Sequence, residues 1–333
     1  MFTRLLAASV LLLYAPLVGG AQNAAGPKDS PPNLPAELAA ETPVDAAAET
    51  SAETPVAAPR PDTRRTAGRI LDEARVRLGA VPSLSANLRQ TAVVGGHRFD
   101  SVGRLLVASG GRVRIELNPA PEQAELGPSL LQVCDGAVMH TQYGLDDRIA
   151  VTRRNIRTVR AEAAARDSGV SLAGDLASGG LTGTLASLRT AMQWEEPQTE
   201  TIADRQYLVL NGRWTEGVLA VFAERTAEAK LLPDPPPPTG VTVYLDAETL
   251  FPHRIRYWSQ IASGPRAPML TLDFSDIRVN VPLPDDAFAF TLPDDVEVDD
   301  LTEPAVVRAR TAGLPKRVRS PEENENAGGA GDE

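Results

Sequence analysis

The sequence predicts a mainly β protein with some α: a highly curved, incomplete antiparallel β-barrel of about 11–12 strands closed by two or three helices. Three observations predict it. Apolar residues recur at every second position through much of residues 84–281, the period of a half-buried strand. Gly-Gly, Asp-Gly and Asn-Gly pairs punctuate these segments, and such pairs are hairpin chemistry. Stretches of helical period are too few for a separate layer, so the sheet is expected to curl over its own apolar face.

The elements follow in chain order. Arg4 precedes an apolar run from Leu5 to Leu13, and Gly19-Gly20-Ala21-Gln22 supplies the small residues that a signal peptidase reads. A cleaved secretory signal is expected over 1–21, with an uncleaved anchor as the alternative. No cysteine stands there to carry a lipid, and no other run is long and apolar enough to span a bilayer. Residues 22–65 are rich in Ala, Pro, Glu and Thr, with near-repeats at Ala40 to Val44 and Ala52 to Val56. They read as a disordered spacer that cannot bury enough apolar surface to offset its ordering entropy.

The folded part is expected over 66–300. Ile70, Leu71, Ala74 and Leu78 share one helical face. Leu84, Ala86, Leu88, Gln90, Ala92 and Val94 then alternate on a strand, Gly95-Gly96 turns the chain, and His97 to Ala108 returns with Leu105 and Val107 on one face. Gly110-Gly111 turns it again into a strand with Val113, Ile115 and Leu117 facing one way. Leu130 to Cys134 and Ala137 to Tyr143 form a hairpin across Asp135-Gly136. Arg148 to Arg153 is the next strand, and Asn155 caps a helix to about Arg166. Leu181, Leu185, Leu188 and Met192 form the clearest helical stripe. Gln206 to Leu210 is read as a strand ending in an Asn211-Gly212 turn, with Val218 to Phe222 after it. Pro235 to Pro238 is a surface loop, Val241 to Leu245 and Arg254 to Ile261 form a pair, and Leu270 to Val281 is a last long strand with a bulge at Ser275-Asp276. Residues 301–333 read as a disordered charged tail, basic from Arg308 to Arg319 and acidic after Glu322. That tail is either solvated or in contact with an anionic membrane surface.

Composition excludes several kinds of chemistry. A formal charge of -11 is wrong for a nucleic-acid binder. One cysteine, Cys134, permits neither an internal disulfide nor a cysteine-rich zinc site. His97, His140 and His253 are not gathered by the sequence. There is no Gly-x-Ser-x-Gly elbow, and Gly179-Gly180-Leu181-Thr182-Gly183 lacks the lysine of a phosphate loop. Asp146-Asp147 and Asp285-Asp286 read as turns. The expectation is a protein that is not an enzyme and has no cofactor or metal.

Four pieces carry a family likeness. They are Ser85-Ala86-Asn87-Leu88-Arg89-Gln90, Gly103-Arg104-Leu105 with Val113-Arg114-Ile115, Val133-Cys134-Asp135-Gly136 with Tyr143, and Asn280-Val281-Pro282-Leu283-Pro284-Asp285 leading to Phe288-Ala289-Phe290-Thr291 and Val296-Glu297-Val298. In this order they resemble the bacterial outer-membrane lipoprotein-sorting family, the LolA/LolB-like fold, over about residues 68–299. The resemblance implies a periplasmic carrier whose open barrel holds lipid or lipoprotein acyl chains in an apolar cavity; the chain itself is expected to be a monomer. The same fold serves as an envelope sensor or scaffold with a protein partner, and that is the alternative here. Where the carrier has an Arg-Pro pair between its second and third strands, this chain has Ala108-Ser109-Gly110-Gly111. The candidate lining residues are Leu88, Leu105, Val107, Val113, Ile115, Leu117, Leu181, Leu185, Leu188 and Met192. Ordinary core packing between helix and sheet is the competing reading of the same ten.

Overall fold

A computed structural model of the chain describes residues 66–94, 97–123, 129–145, 148–165, 176–219, 238–260 and 264–311. The signal, the spacer, the Gly95-Gly96 turn, Asp146-Asp147 and the tail beyond 311 lie outside the described residues.

Helix α1 (Ala67–Gly79) begins where Thr66, in extended conformation, accepts a hydrogen bond from the Arg69 N–H at 3.4 Å. Its face of Ile70, Leu71, Ala74 and Leu78 is buried. The strands β1 (Ser83–Val94), β2 (His97–Ala108), β3 (Arg112–Pro119), β4 (Ser129–Asp135), β5 (Val138–Leu145) and β6 (Arg148–Asn155) follow as an antiparallel meander. At the β4–β5 turn Gly136 takes φ 96, and Asp135 Oδ1 accepts from the Ala137 and Val138 N–H groups, both at 2.7 Å. Helix α2 (Ile156–Ala165) starts at the expected cap, with Asn155 Oδ1 accepting from the Thr158 N–H at 3.1 Å. Helix α3 (Leu176–Ala191) is interrupted at Gly180.

The second half holds β7 (Met192–Trp194), β8 (Gln198–Ile202), β9 (Arg205–Trp214), β10 (Gly240–Asp246), β11 (Pro252–Ser259) and β12 (Ala267–Val279). Strand β12 returns beside β1. Asp276, at φ 49, carries the bulge between the pairs Asn87/Ser275 and Ser85/Arg278. A short strand β13 (Val298–Asp300) pairs in parallel with β6, and helix α4 (Thr302–Thr311) follows it.

The expected barrel is not what forms. The strands make one open sheet in the order β13-β6-β5-β4-β3-β2-β1-β12-β11-β10-β9-β7, with β8 beside β9. Its end strands, β13 and β7, do not pair, so the sheet is neither closed nor strongly curved. The physical reason lies in the helices. Helices α1 and α3 bury the apolar stripe of the sheet between them, so it need not curl to hide it. The back face is covered too. After β12 the chain crosses behind the sheet as a strap, packing Leu283, Ala287, Phe288 and Phe290 on Leu106, Ala108, Leu131 and Val133.

A second expectation also fails. Asn211-Gly212 is not a turn, because β9 runs through it to Trp214, and residues 216–219 are helical. A Cβ on Gly212 would sit 3.0 Å from the Trp194 ring, so the glycine makes room for an aromatic on the neighbouring strand. Asn211 Oδ1 accepts from the Thr242 hydroxyl at 2.8 Å. This bond uses the polar side chain inside the sheet.

Candidate functional site

The register places the candidate residues in adjacent rows on one face of the sheet. Leu84, Val107, Val113 and Cys134 form one row, Ala86, Leu105 and Ile115 the next, and Leu88, Gly103, Leu117 and Leu130 a third. Helix α3 lays Leu181, Leu185 and Leu188 over them, and Met192 continues the stripe on β7. Nine of the ten are at most 5% exposed and belong to one apolar cluster, with Val107 packed against it. All ten are therefore brought together, as a packed helix-on-sheet interior.

Helix α3 is broken where it meets this face. Gly180 has φ 60 and ψ −166, a region open essentially only to glycine. A Cβ there would lie 3.6 Å from Val113 and 3.7 Å from Val107. The Thr184 hydroxyl donates to the Gly180 carbonyl at 3.1 Å, tying the helix that follows to the break. The far end of α3 is held by Arg189, whose Nε is 3.3 Å from Asp72 on α1. Toward β4–β6 the same face turns polar: Gln132 donates to the Thr141 hydroxyl at 3.4 Å, and both are buried. Gln90, also on the helix-covered face, is 7% exposed, and its Oε1 has no partner. Tyr257 lies in the apolar cluster, where burial pushes its phenol up to about 12.

Charged groups lie at the margins. Burial pushes the Asp100 carboxyl up, but hydrogen bonds from Arg98 and Thr91, with the charges of Arg98 and Arg89, hold it below the usual range. Burial of Asp246 is likewise outweighed by donors from Thr249 and by Arg205. Behind the sheet, a groove of about 630 Å³ opens between the strap and the strands, with Arg104, Arg114 and Arg278 around Ser85 and Asn87. Arg114 and Arg278 are paired with Glu116 and Asp276. The sequence reading did not single out this groove, although the outward positions of β1–β3 spell it.

Among the described residues no three His, Cys, Asp or Glu side chains gather to hold a metal ion. Cys134 is fully buried on β4. His140 stacks on Phe290 of the strap with centroids 4.7 Å apart, and His253 meets Tyr207 edge-on at 5.5 Å. The three histidines remain on separate strands.

No family model and no curated protein sequence matches the chain. Solved structures do. A LolA superfamily protein from Nitrosomonas europaea matches at 13% identity and a TM-score of 0.28, over 68% of this chain and 98% of its own. LprF from Mycobacterium bovis matches at 11% identity and a TM-score of 0.33, over 65% of this chain and 94% of its own. A MucA/MucB complex from Pseudomonas aeruginosa also matches, at 14% identity and a TM-score of 0.33, over 67% of this chain and 60% of that one. At such scores the likeness says nothing of ligand, partner or activity.

Proposed function

We propose that this protein is a non-catalytic carrier of the periplasm that takes lipid or lipoprotein acyl chains against the apolar face of its sheet, beneath α3. The observation that carries this reading is the break at Gly180. A glycine-only conformation sits on Val107 and Val113, at the point where a helix covering an apolar face would have to pivot to admit a chain. The packed state is then the closed one, and an acyl chain entering would gain about 0.8 kcal/mol per methylene removed from water. The apolar run from Leu5 to Leu13 with small residues before Gln22 supports export. A scaffold with a permanently filled interior is the second reading, favoured by the near-zero exposure of Leu105, Leu185 and Leu188.

Titration with a fluorescent fatty-acid probe separates the two. The carrier binds the probe saturably and loses it in a folded Val113→Trp, whose indole would take the place of the chain against the sheet beneath α3. A wild-type protein that takes up no probe at any temperature below its unfolding transition is the scaffold.

A further inference from the structure

We infer that the open edge of the sheet at β8 is a docking strand for an extended, basic segment of a partner protein. The fold treats its two edges differently. At one end β6 pairs with β13, and α4, which follows β13, packs Ala305 and Val306 on Val159 of α2. At the other end, all five residues of β8 are exposed, and the strand pairs with β9 alone.

The geometry shows which backbone groups are open. Ile202 and Arg205 flank a two-residue loop in which Ala203 and Asp204 have φ 47 and 63, the type I′ pattern. Such a loop is closed by a hydrogen-bonded pair, and hydrogen-bonded pairs alternate along an antiparallel ladder. Glu200/Tyr207 and Gln198/Val209 are therefore of the same kind as Ile202/Arg205. The N–H and C=O groups of Thr199 and Thr201 point away from β9, at the spacing that an added strand requires. Pro197 ends this template on one side and the loop ends it on the other, which limits the contact to about five residues.

Charge identifies the occupant. Glu195 is engaged by Arg266 at 3.1 Å and Arg213 at 3.7 Å. Glu196 and Glu200 have no cationic partner among the described residues, and both are exposed on this edge. A second copy of the chain is a poor fit. The two-fold register that uses both threonines sets Glu200 directly against Glu200, and like charges opposed across strands are destabilising. A strand with Lys or Arg opposite Glu200 turns that repulsion into attraction. This site is independent of the apolar interior, so it stands whether or not the protein carries an acyl chain.

The test uses the full chain and two labelled synthetic peptides, one alternating lysine with valine and one alternating glutamate with valine, compared by fluorescence anisotropy at low salt. The lysine peptide is expected to bind at least tenfold more tightly. Glu200→Lys should invert that preference. Thr201→Pro removes an outward N–H and leaves the pairing with β9 intact, so it should weaken binding at least tenfold with an unchanged thermal midpoint. Hydrogen exchange on the wild type gives a reading that needs no variant: the Thr199 and Thr201 amides should slow on addition of the lysine peptide. Equal binding of the two peptides, retention of tight binding by a folded Thr201→Pro, or unprotected Thr199 and Thr201 amides in the peptide complex would each overturn the assignment.

Discussion

Leu185→Ala measures how firmly α3 is seated. Leu185 is fully buried at the centre of the helix stripe, facing the sheet. The substitution removes three carbon atoms, a transfer loss of about 2.4 kcal/mol at about 0.8 kcal/mol per methylene. A cavity cost adds to it, because β3 is held by strands on both sides and cannot collapse into the gap. The sum is about 3–4 kcal/mol. For a domain of roughly 200–250 residues, at about 2–4 °C per kcal/mol, the midpoint should fall by roughly 6–16 °C. Urea unfolding followed by circular dichroism checks the free energy directly, and the slope should be unchanged. Leu219→Ala is the control, because Leu219 is 40% exposed and its loss should cost under about 1 kcal/mol. A loss at Leu185 as small as that of the control would mean that α3 does not rest on the sheet in solution, and the closed interior would have to be abandoned.

Three further outcomes follow from particular contacts. Gly103→Ala should prevent accumulation of folded protein or cost more than about 3 kcal/mol, since its Cβ would lie 1.8 Å from the Glu116 carbonyl oxygen and β3 would have to move; soluble yield and thermal midpoint check it. Asp100→Asn should cost about 1–2 kcal/mol at neutral pH, because the buried carboxylate accepts from Thr91 and Arg98 while the arginines themselves are well exposed; paired urea curves at pH 7 measure it. His140 is held below its ordinary value near 6.5 by burial first and by Arg153, with Asp135 opposing. A histidine kept neutral in the folded state loses stability as pH falls through 6.5 toward its folded value, so midpoints should drop between pH 7 and 5.5, and His140→Phe should flatten that drop.

The parts of the fold legible in the sequence are those governed by local chemistry. The meander β1–β5 was readable because period-two alternation and turn glycines agree, and the cap at Asn155 and the bulge at Asp276 were readable for the same reason. Asn211-Gly212 misled because the pair is turn chemistry only where no neighbour needs the space. Trp194 fills the missing Cβ position, and a ring on another strand leaves no local signal. The same limit governed the architecture. Alternation says which side of a strand is apolar, but not whether helices or the sheet itself will cover it. Here α1 and α3 cover it, joined through Asp72 and Arg189, residues 117 positions apart.

The composition of β4 argues against a curled sheet. Strand β4 does not alternate: Leu130, Leu131, Val133 and Cys134 are all apolar, and a strand of that kind is buried on both faces. A curled sheet with one solvated side cannot satisfy such a strand; a sheet with helices in front and a strap behind can. Leu130 and Cys134 belong to the helix-covered cluster, while Leu131 and Val133 meet the strap at Phe288 and its neighbours. This two-sided burial also bears on how the protein can engage other molecules. Over β2–β4 both faces are occupied by the chain's own segments, and β6 is closed by β13. What the described residues leave open is the groove between the strap and β1–β3 and the edge at β8, where nothing has to move; the proposed route to the helix side would require α3 to move on Gly180. A ligand admitted from the helix side should show binding that slows when α3 is held, whereas a peptide taken at the β8 edge should bind at a rate indifferent to α3.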